Sequence, residues 1–340
     1  MYTGTHGMAC MLTILCLFTG HCSCQANKTI SSLTLKSVNS NSPYFTFSNK
    51  FTKSKVSFEK LSISKLTSTF AFSAIPLTFK ESHFSKCLSP ILKMNSQSIS
   101  NTEITSSSES TESITFTSCT FNMNSEYAVS GDPDFSITFL KCTFKGHYNF
   151  LSYYFGAIYV NDSAMNDVTF GISFSSTENV EGNYFRNNIT NTKTDSNYGL
   201  FALANTQPST VIYNVFDQVE SKYIFSAYEN LNVYATTILN TKIYSHDILA
   251  QFSLDVADSM FLSELQNQDS FHIEAKTLRV RNCCFSGGEE SWFTARNLIY
   301  NLTNVPSNQC DQAVLIRDFP YKVHKSNEVI FKMLIRYTNY

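Results

Sequence analysis

The decapeptide SITFTSCTFN (113–122) recurs 23 residues later as SITFLKCTFK (136–145), with seven of ten positions identical and a cysteine at the same place in each copy. A short apolar phrase rewritten at a fixed spacing constrains architecture more than any composition does. It describes a unit that cannot bury its own apolar face and must stack against copies of itself.

The phrase reduces to a large apolar residue, a small or amide residue three positions on, and a second large apolar residue two further. Phe116-Cys119-Phe121 and Phe139-Cys142-Phe144 define it. Val180-Asn183-Phe185, Val211-Asn214-Phe216, Val233-Thr236-Ile238, Val256-Ser259-Phe261 and Val280-Cys283-Phe285 follow the same rule, and Phe58-Leu61-Ile63 and Phe79-Ser82-Phe84 precede it. The last apolar positions lie 21, 37, 23, 41, 31, 22, 23 and 24 residues apart, so most steps are one period of about 23. The 41-residue step holds one turn with an insertion or two short turns, and VTFGISF (168–174) favours two.

Ile114 and Phe116 share one face of a strand, as do Cys119 and Phe121, but Phe116 and Cys119 are three apart and fall on opposite sides of an unbroken strand. A bend at Thr117-Ser118 turns both pairs inward. Two short strands and a bend, completed by a third strand and loops, make one coil of a parallel β-helix, each coil ~4.8 Å from the next. The expected core ladder is Phe121, Phe144, Phe185, Phe216, Ile238, Phe261 and Phe285, each side chain contributing roughly 1.5–3 kcal/mol on burial. The expected bend ladder is Cys119, Cys142, Asn183, Asn214, Thr236, Ser259 and Cys283, small or amide residues suited to a tight corner. A structural reading of that column outweighs a catalytic one.

Composition agrees. Aromatic residues are 14% and charged residues only 15% of the 340, with 29 Phe, 18 Tyr and few Gly or Pro, a mixture that favours strands. Net charge of −2 gives no footing for nucleic acid. Residues 1–26 read as an export signal: ACMLTILCLF (9–18) has the length of a signal-peptide core and is too short to span a bilayer, with cleavage expected after Cys24 or Ala26. No later run is long and apolar enough for a membrane anchor. Four sequons accompany it, at Asn27, Asn161, Asn188 and Asn301. Residues 27–54 are expected to cap the first coil, residues 55–300 to form the coils, and the polar stretch 95–113 to be a loop or linker. Residues 301–340 are expected to form a second cap, with a short helix at 327–337 behind Ser326 and a final strand pair as its alternative.

With its Phe-x-x-(small) phrase, FGAI (155–158) and FRNN (185–188), the chain resembles right-handed parallel β-helix repeat proteins of the broad pectate-lyase-like superfamily, and within them the adhesin-like surface proteins of bacteria and parasitic protists. The resemblance covers roughly residues 55–300 and implies fold more than activity. The alternatives are a leucine-rich-repeat solenoid, which shares a period near 23 and a Phe-x-x-Cys element but needs an absent L-x-x-L-x-L consensus, and a non-repetitive β-sandwich.

Six cysteines lie beyond the signal: Cys87, Cys119, Cys142, Cys283, Cys284 and Cys310. Their spacing is no zinc pattern. Stacked one coil apart, Cys119 and Cys142 are expected to be buried thiols rather than a bridge, because parallel in-register Cβ atoms sit slightly too far apart. Cys284 faces away from Cys283, and its pairing with Cys310 stays open. For chemistry, the variable positions of the template carry no column of acids, GDPD (131–134) reads as a turn, and His147, His246 and His272 read as solvated surface residues without ligand spacing. No catalytic residue, metal or cofactor is expected. The function expected is an exported, non-enzymatic, secreted or cell-surface binding protein, with a protein or glycan on another cell or in the matrix as partner. The alternative is a secreted polysaccharide lyase or glycoside hydrolase on the same scaffold.

Overall fold

The two quoted phrases lie side by side in the computed structural model, paired in parallel with Ile114 against Ile137, Phe116 against Phe139 and Phe121 against Phe144. The structure describes residues 28–37, 42–47, 55–94, 112–131, 134–153, 155–176, 181–195, 197–203, 208–267, 269–287 and 291–301. They form a parallel β-solenoid with about 23 residues per turn. An early coil shows the plan: Val56–Glu59, a bend, Ser62–Ser64, a second corner, then Ala71–Ser73. Each strand pairs with its counterpart in the next coil, at Leu77–Lys80, His83–Ser85 and Leu92–Met94. Three strands per coil and no α-helix among the described residues separate this architecture from a leucine-rich-repeat horseshoe.

The interior consists of the expected columns, with one unit added and one set in a different frame. One runs Phe58, Phe79, Phe116, Phe139, Val160, Tyr184, Val211, Val233, Val256, Val280. The other runs Ile63, Phe84, Phe121, Phe144, Met165, Ile189, Phe216, Ile238, Phe261, Phe285. Rings in register stack at centroid distances near 5 Å: Phe121 lies 5.1 Å from both Phe84 and Phe144, and Phe261 lies 5.0 Å from Phe285. Offset ring pairs of this kind add about 0.5–1.5 kcal/mol each beyond area burial.

Phe185 and Asn183 are not members of these columns. The template fits two frames in this coil, and a one-residue slip along a strand turns every side chain to the other face. Tyr184 is the buried residue, in register with Val160 and Val211, so the inward set is Tyr184-Asn187-Ile189. Phe185 faces outward, half-buried, and Asn183 lies beside Tyr159 and Thr210 on the outer surface. The 41-residue step does contain two turns. The additional unit is Val160-Ser163-Met165, however, whereas 168–174 continues the strand Ala164–Ser176. The segment expected as an N-terminal cap contains the strands Lys28–Ser31, Thr34–Lys36 and Phe45–Phe47, each paired in register with the coil that follows. In the polar stretch, Ser113 already belongs to the strand Glu112–Thr117, and residues 95–111 lie outside the described set. The signal segment, the expected C-terminal helix at 327–337 and Cys310 also lie outside it.

The bend is built by two adjacent columns. The first has left-handed backbone: Lys60, Glu81, Ser118, Lys141, Asp162, Arg186, Tyr213, Ala235, Asp258 and Asn282 all have φ between 46° and 57°. The second is the corrected bend ladder, Ser82, Cys119, Cys142, Ser163, Asn187, Asn214, Thr236, Ser259 and Cys283. Its side chains answer the carbonyl freed by the turn two residues earlier: Ser163 Oγ donates to the Asn161 carbonyl at 2.9 Å, Thr236 Oγ1 to that of Tyr234 at 3.2 Å and Ser259 Oγ to that of Ala257 at 2.8 Å. They also link coils. Asn187 Nδ2 donates to the Val160 carbonyl at 2.7 Å and to Asn214 Oδ1 at 2.9 Å, and Asn214 Nδ2 donates to the Tyr184 carbonyl at 2.8 Å. The column is therefore polar inside an apolar body, and the pairing of its donors and acceptors is what permits that.

Left-handed backbone costs an ordinary residue about 1–2 kcal/mol, more than the roughly 0.5–1 kcal/mol that glycine loses in chain entropy. Ala235, at φ 46°, has no polar side chain to recover the difference. Replacing Ala235 by glycine is expected to stabilise the chain by about 0.5–1 kcal/mol, read as a higher urea midpoint. A lower midpoint contradicts the assignment of this corner. Gly146 is the reverse case: at φ +105° a Cβ would lie 2.1 Å from the Met123 carbonyl oxygen.

Candidate binding face

The predicted site residues fall into two groups. The ladder residues are enclosed, with Phe121, Phe144, Phe216, Ile238, Phe261 and Phe285 essentially without exposed surface. Cys87, Cys119, Cys142 and Cys283 are free and buried. Cys142 Sγ lies 3.4 Å from the Phe116 carbonyl and Cys119 Sγ 3.4 Å from that of Thr117, the same contacts that Ser and Asn make elsewhere in the column. Burial pushes the Cys283 thiol up to about 12 and raises Cys142 as well. Cys119 is lowered by the Cys142 side chain beside it but is as enclosed as the others, and enclosure makes all four structural thiols rather than nucleophiles. Cys284 is disulfide-bonded, and none of the four free cysteines is its partner. Of the sequons, Asn161 and Asn188 are half-buried at strand ends, Asn301 closes the last described strand and Asn27 lies outside the described residues.

His246 and His272 are not surface residues. Both are buried, because they occupy the corner before the third strand, whose register the short template does not reach. His272 Nδ1 lies 2.5 Å from Asp247 Oδ2, Ser263 Oγ donates to the same oxygen at 2.6 Å, and Asp247 and His272 are 0% and 1% exposed. His272 Nε2 is 3.0 Å from the Ser286 carbonyl and 3.3 Å from Ser286 Oγ. The order Ser286–His272–Asp247 has the outline of a nucleophilic triad, but the protons are placed wrongly for one. A carbonyl only accepts, so Nε2 carries its proton toward Ser286 and has no lone pair for the hydroxyl; Ser286 Oγ itself donates to the Ser263 carbonyl at 2.9 Å. The cluster ties coils together. His147, by contrast, is exposed, as expected from the sequence.

Two outward features differ from the rest of the surface. The first lies beyond the second corner, where Lys193, Glu220, Lys242 and Glu264 stack in register with alternating sign. Here an open depression of about 380 Å³ is lined by Lys193, Asp195, Asn197, Glu220, Lys222 and Tyr244, together with Thr194. Tyr244, half-exposed, donates its hydroxyl to Glu220 Oε1 at 2.7 Å, and Lys193 Nζ donates to the same oxygen at 3.0 Å. The Tyr244 hydroxyl and then the Lys193 ammonium hold the Glu220 carboxyl below the usual carboxylate range.

The second feature lies on the outer face of the first strand of successive coils. Leu140, Asn161, Phe185, Ile212 and Tyr234 line up in register, with Tyr159 beside them on the strand of Asn161. All are half-buried. Arg186 lies over the Phe185 ring at 4.4 Å and is clamped by Asp162 through bonds of 2.7 and 3.0 Å. Among the described residues, the outward lanes hold no acidic column in this register either. Among the described residues no three His, Cys, Asp or Glu are placed to share a metal ion, and no helix is long and apolar enough to cross a membrane.

No family model, no curated protein and no solved structure matches this chain.

Proposed function

We propose that the chain is an exported, non-enzymatic β-solenoid of the right-handed, adhesin-like kind, secreted or held at the cell surface, that binds a glycan or protein of another cell or of the matrix through the depression around Glu220 and Tyr244. The observation that carries this reading is the composition of that cluster. A half-exposed tyrosine ring stands beside two carboxylates, Asp195 and Glu220, two ammonium groups and an amide. An aromatic face with mixed donors and acceptors at its edge is what the C–H face and hydroxyls of a sugar require.

The hydrolytic form of the alternative, a glycoside hydrolase, needs a carboxylic acid whose proton is retained near neutral pH to protonate the leaving oxygen. Glu220 is shifted the opposite way. Its lowered value also sets a pH expectation: the carboxylate persists below the ordinary Glu value of about 4.3, so binding should be level between pH 7 and 5.

The test is binding of the purified full chain to a glycan array and to fixed cells. Tyr244→Ala and Glu220→Gln are each expected to weaken binding about tenfold or more, the scale of one lost contact worth ~1.4 kcal/mol. Unchanged binding in both variants removes the depression from the argument. New reducing ends after incubation with a polysaccharide panel would replace the binding reading with the enzymatic one.

A further inference from the structure

The strip formed by Leu140, Tyr159, Phe185, Ile212 and Tyr234 is half-exposed and apolar on the outside of a chain argued above to be exported, and contiguous patches of this sort on soluble proteins mark something that covers them. We propose that the cover is covalent: an N-linked glycan on Asn161, laid across the side chains around it, Leu140, Tyr159 and Phe185. This inference rests on the export reading.

Four observations support it. Asn161-Asp162-Ser163 is a sequon, and it sits inside the strip rather than beside it, with Leu140 and Phe185 as the in-register neighbours of Asn161. Tyr159 is two residues back on the same strand, so its ring shares the outward face with the asparagine. Asp162 has left-handed backbone, φ 53°, so the chain turns inward immediately after Asn161 and leaves it at the strand's outer end. The Asn188 sequon differs: its amide oxygen is enclosed and has no hydrogen-bond partner, a poor place for a bulky substituent.

The transfer itself is ordinary chemistry for an exported chain. Asn161 Nδ2 forms a bond to the anomeric carbon of a lipid-pyrophosphate-linked oligosaccharide. The bond from that carbon to the pyrophosphate oxygen breaks, the pyrophosphate leaves with the electron pair, and one Nδ2 proton passes to the transferase's base. Ser163 is 2% exposed and bonded to the Asn161 carbonyl in the folded solenoid. Attachment therefore precedes closure of this coil, on the emerging chain.

The experiment is secretion of the full chain from a eukaryotic cell line, followed by enzymatic glycan release in ¹⁸O-water and peptide mapping. The expected result is ¹⁸O-labelled aspartate at position 161. Asn161→Gln is expected to lower secreted yield several-fold and to raise binding of a hydrophobic dye, and the added changes Phe185→Thr and Ile212→Thr are expected to reverse both. A secreted chain that is unmodified at Asn161 while another sequon is occupied overturns the proposal and leaves the export reading intact. A chain retained in the cytosol with no sequon modified overturns both. Occupancy at Asn161 with normal yield and dye binding in the Gln variant overturns the covering role.

Discussion

Replacing Asp247 by alanine is expected to cost the solenoid about 3–5 kcal/mol, the range for removing one member of a buried charge pair. Asp247 and His272 are adjacent members of a column that is otherwise apolar: Leu200, Ile224, Asp247, His272 and Trp292 stand one residue before the paired third-strand positions of successive coils. Without the carboxylate, His272 Nδ1 and the Ser263 hydroxyl lose their shared charged acceptor and keep only each other, 3.1 Å apart, at 1% and 4% exposure. His272→Ala should cost a similar amount, because it leaves the buried carboxylate with the Ser263 hydroxyl in place of its imidazole partner. The double change Asp247→Leu with His272→Leu is expected to recover most of the loss, since an aliphatic pair fits between Ile224 and Trp292 and leaves no buried charge. Trp292 is the only tryptophan of the chain and stacks on Phe285 at 5.6 Å, so its fluorescence in a urea titration reads this end directly. An Asp247→Ala variant within ~1 kcal/mol of the parent would contradict burial of the pair.

Asp247 has one oxygen, Oδ1, that is buried and without a hydrogen-bond partner, so the pair is no optimised stabiliser. Its use is better sought in register. A slip by one coil would set the carboxylate against Trp292 or leave the imidazole against Ile224, each an unpaired buried polar group. The apolar ladders offer no such discrimination, since phenylalanine stacks on any phenylalanine.

That tolerance also explains what the sequence reveals and what it hides. The coil, its period and most members of both columns are legible, because the bend requires a small hydrogen-bonding residue three positions after a large apolar one and this pattern survives substitution. The error at Phe185 arises because aromatic residues in this chain face both ways: Phe121 and Phe144 are interior, whereas Tyr159, Phe185 and Tyr213 are not. Spacing held the correcting signal. Asn187 precedes Asn214 by 27 residues and Asn183 by 31, and the shorter step lies nearer the period. The Asp247–His272 contact was not legible. The two are 25 residues apart, and bulges between Ala250 and Ser253 break the phase between the third strand and the template. The Glu220 cluster is hidden for a related reason, since Tyr244 lies beyond the second corner, outside the template.

Alanine substitutions at Ile189 and Phe185, one from each competing frame, decide the register, with Phe121 as the reference. Phe121→Ala should destabilise by about 3–5 kcal/mol, as expected for truncating a fully enclosed phenylalanine, whereas Phe121→Leu should cost about 1.5 kcal/mol or less. Phe121 touches rings on both neighbouring coils and on its own, with Phe84 at 5.1 Å, Phe116 at 5.3 Å, Phe139 at 6.0 Å and Phe144 at 5.1 Å, so the cavity cannot close without moving backbone on three rungs. Ile189→Ala should cost about 2–5 kcal/mol, because Ile189 stacks between Met165 and Phe216 with no exposed surface. Phe185→Ala should cost well under half of the Phe121 value, since its ring is half in solvent and is held mainly by Arg186 and Tyr213. Measured by chemical denaturation on one day and in one buffer, this ranking separates the frames. A Phe185→Ala loss equal to that of Phe121→Ala, with Ile189→Ala near neutral, would restore the uncorrected frame and turn the outer apolar strip into core.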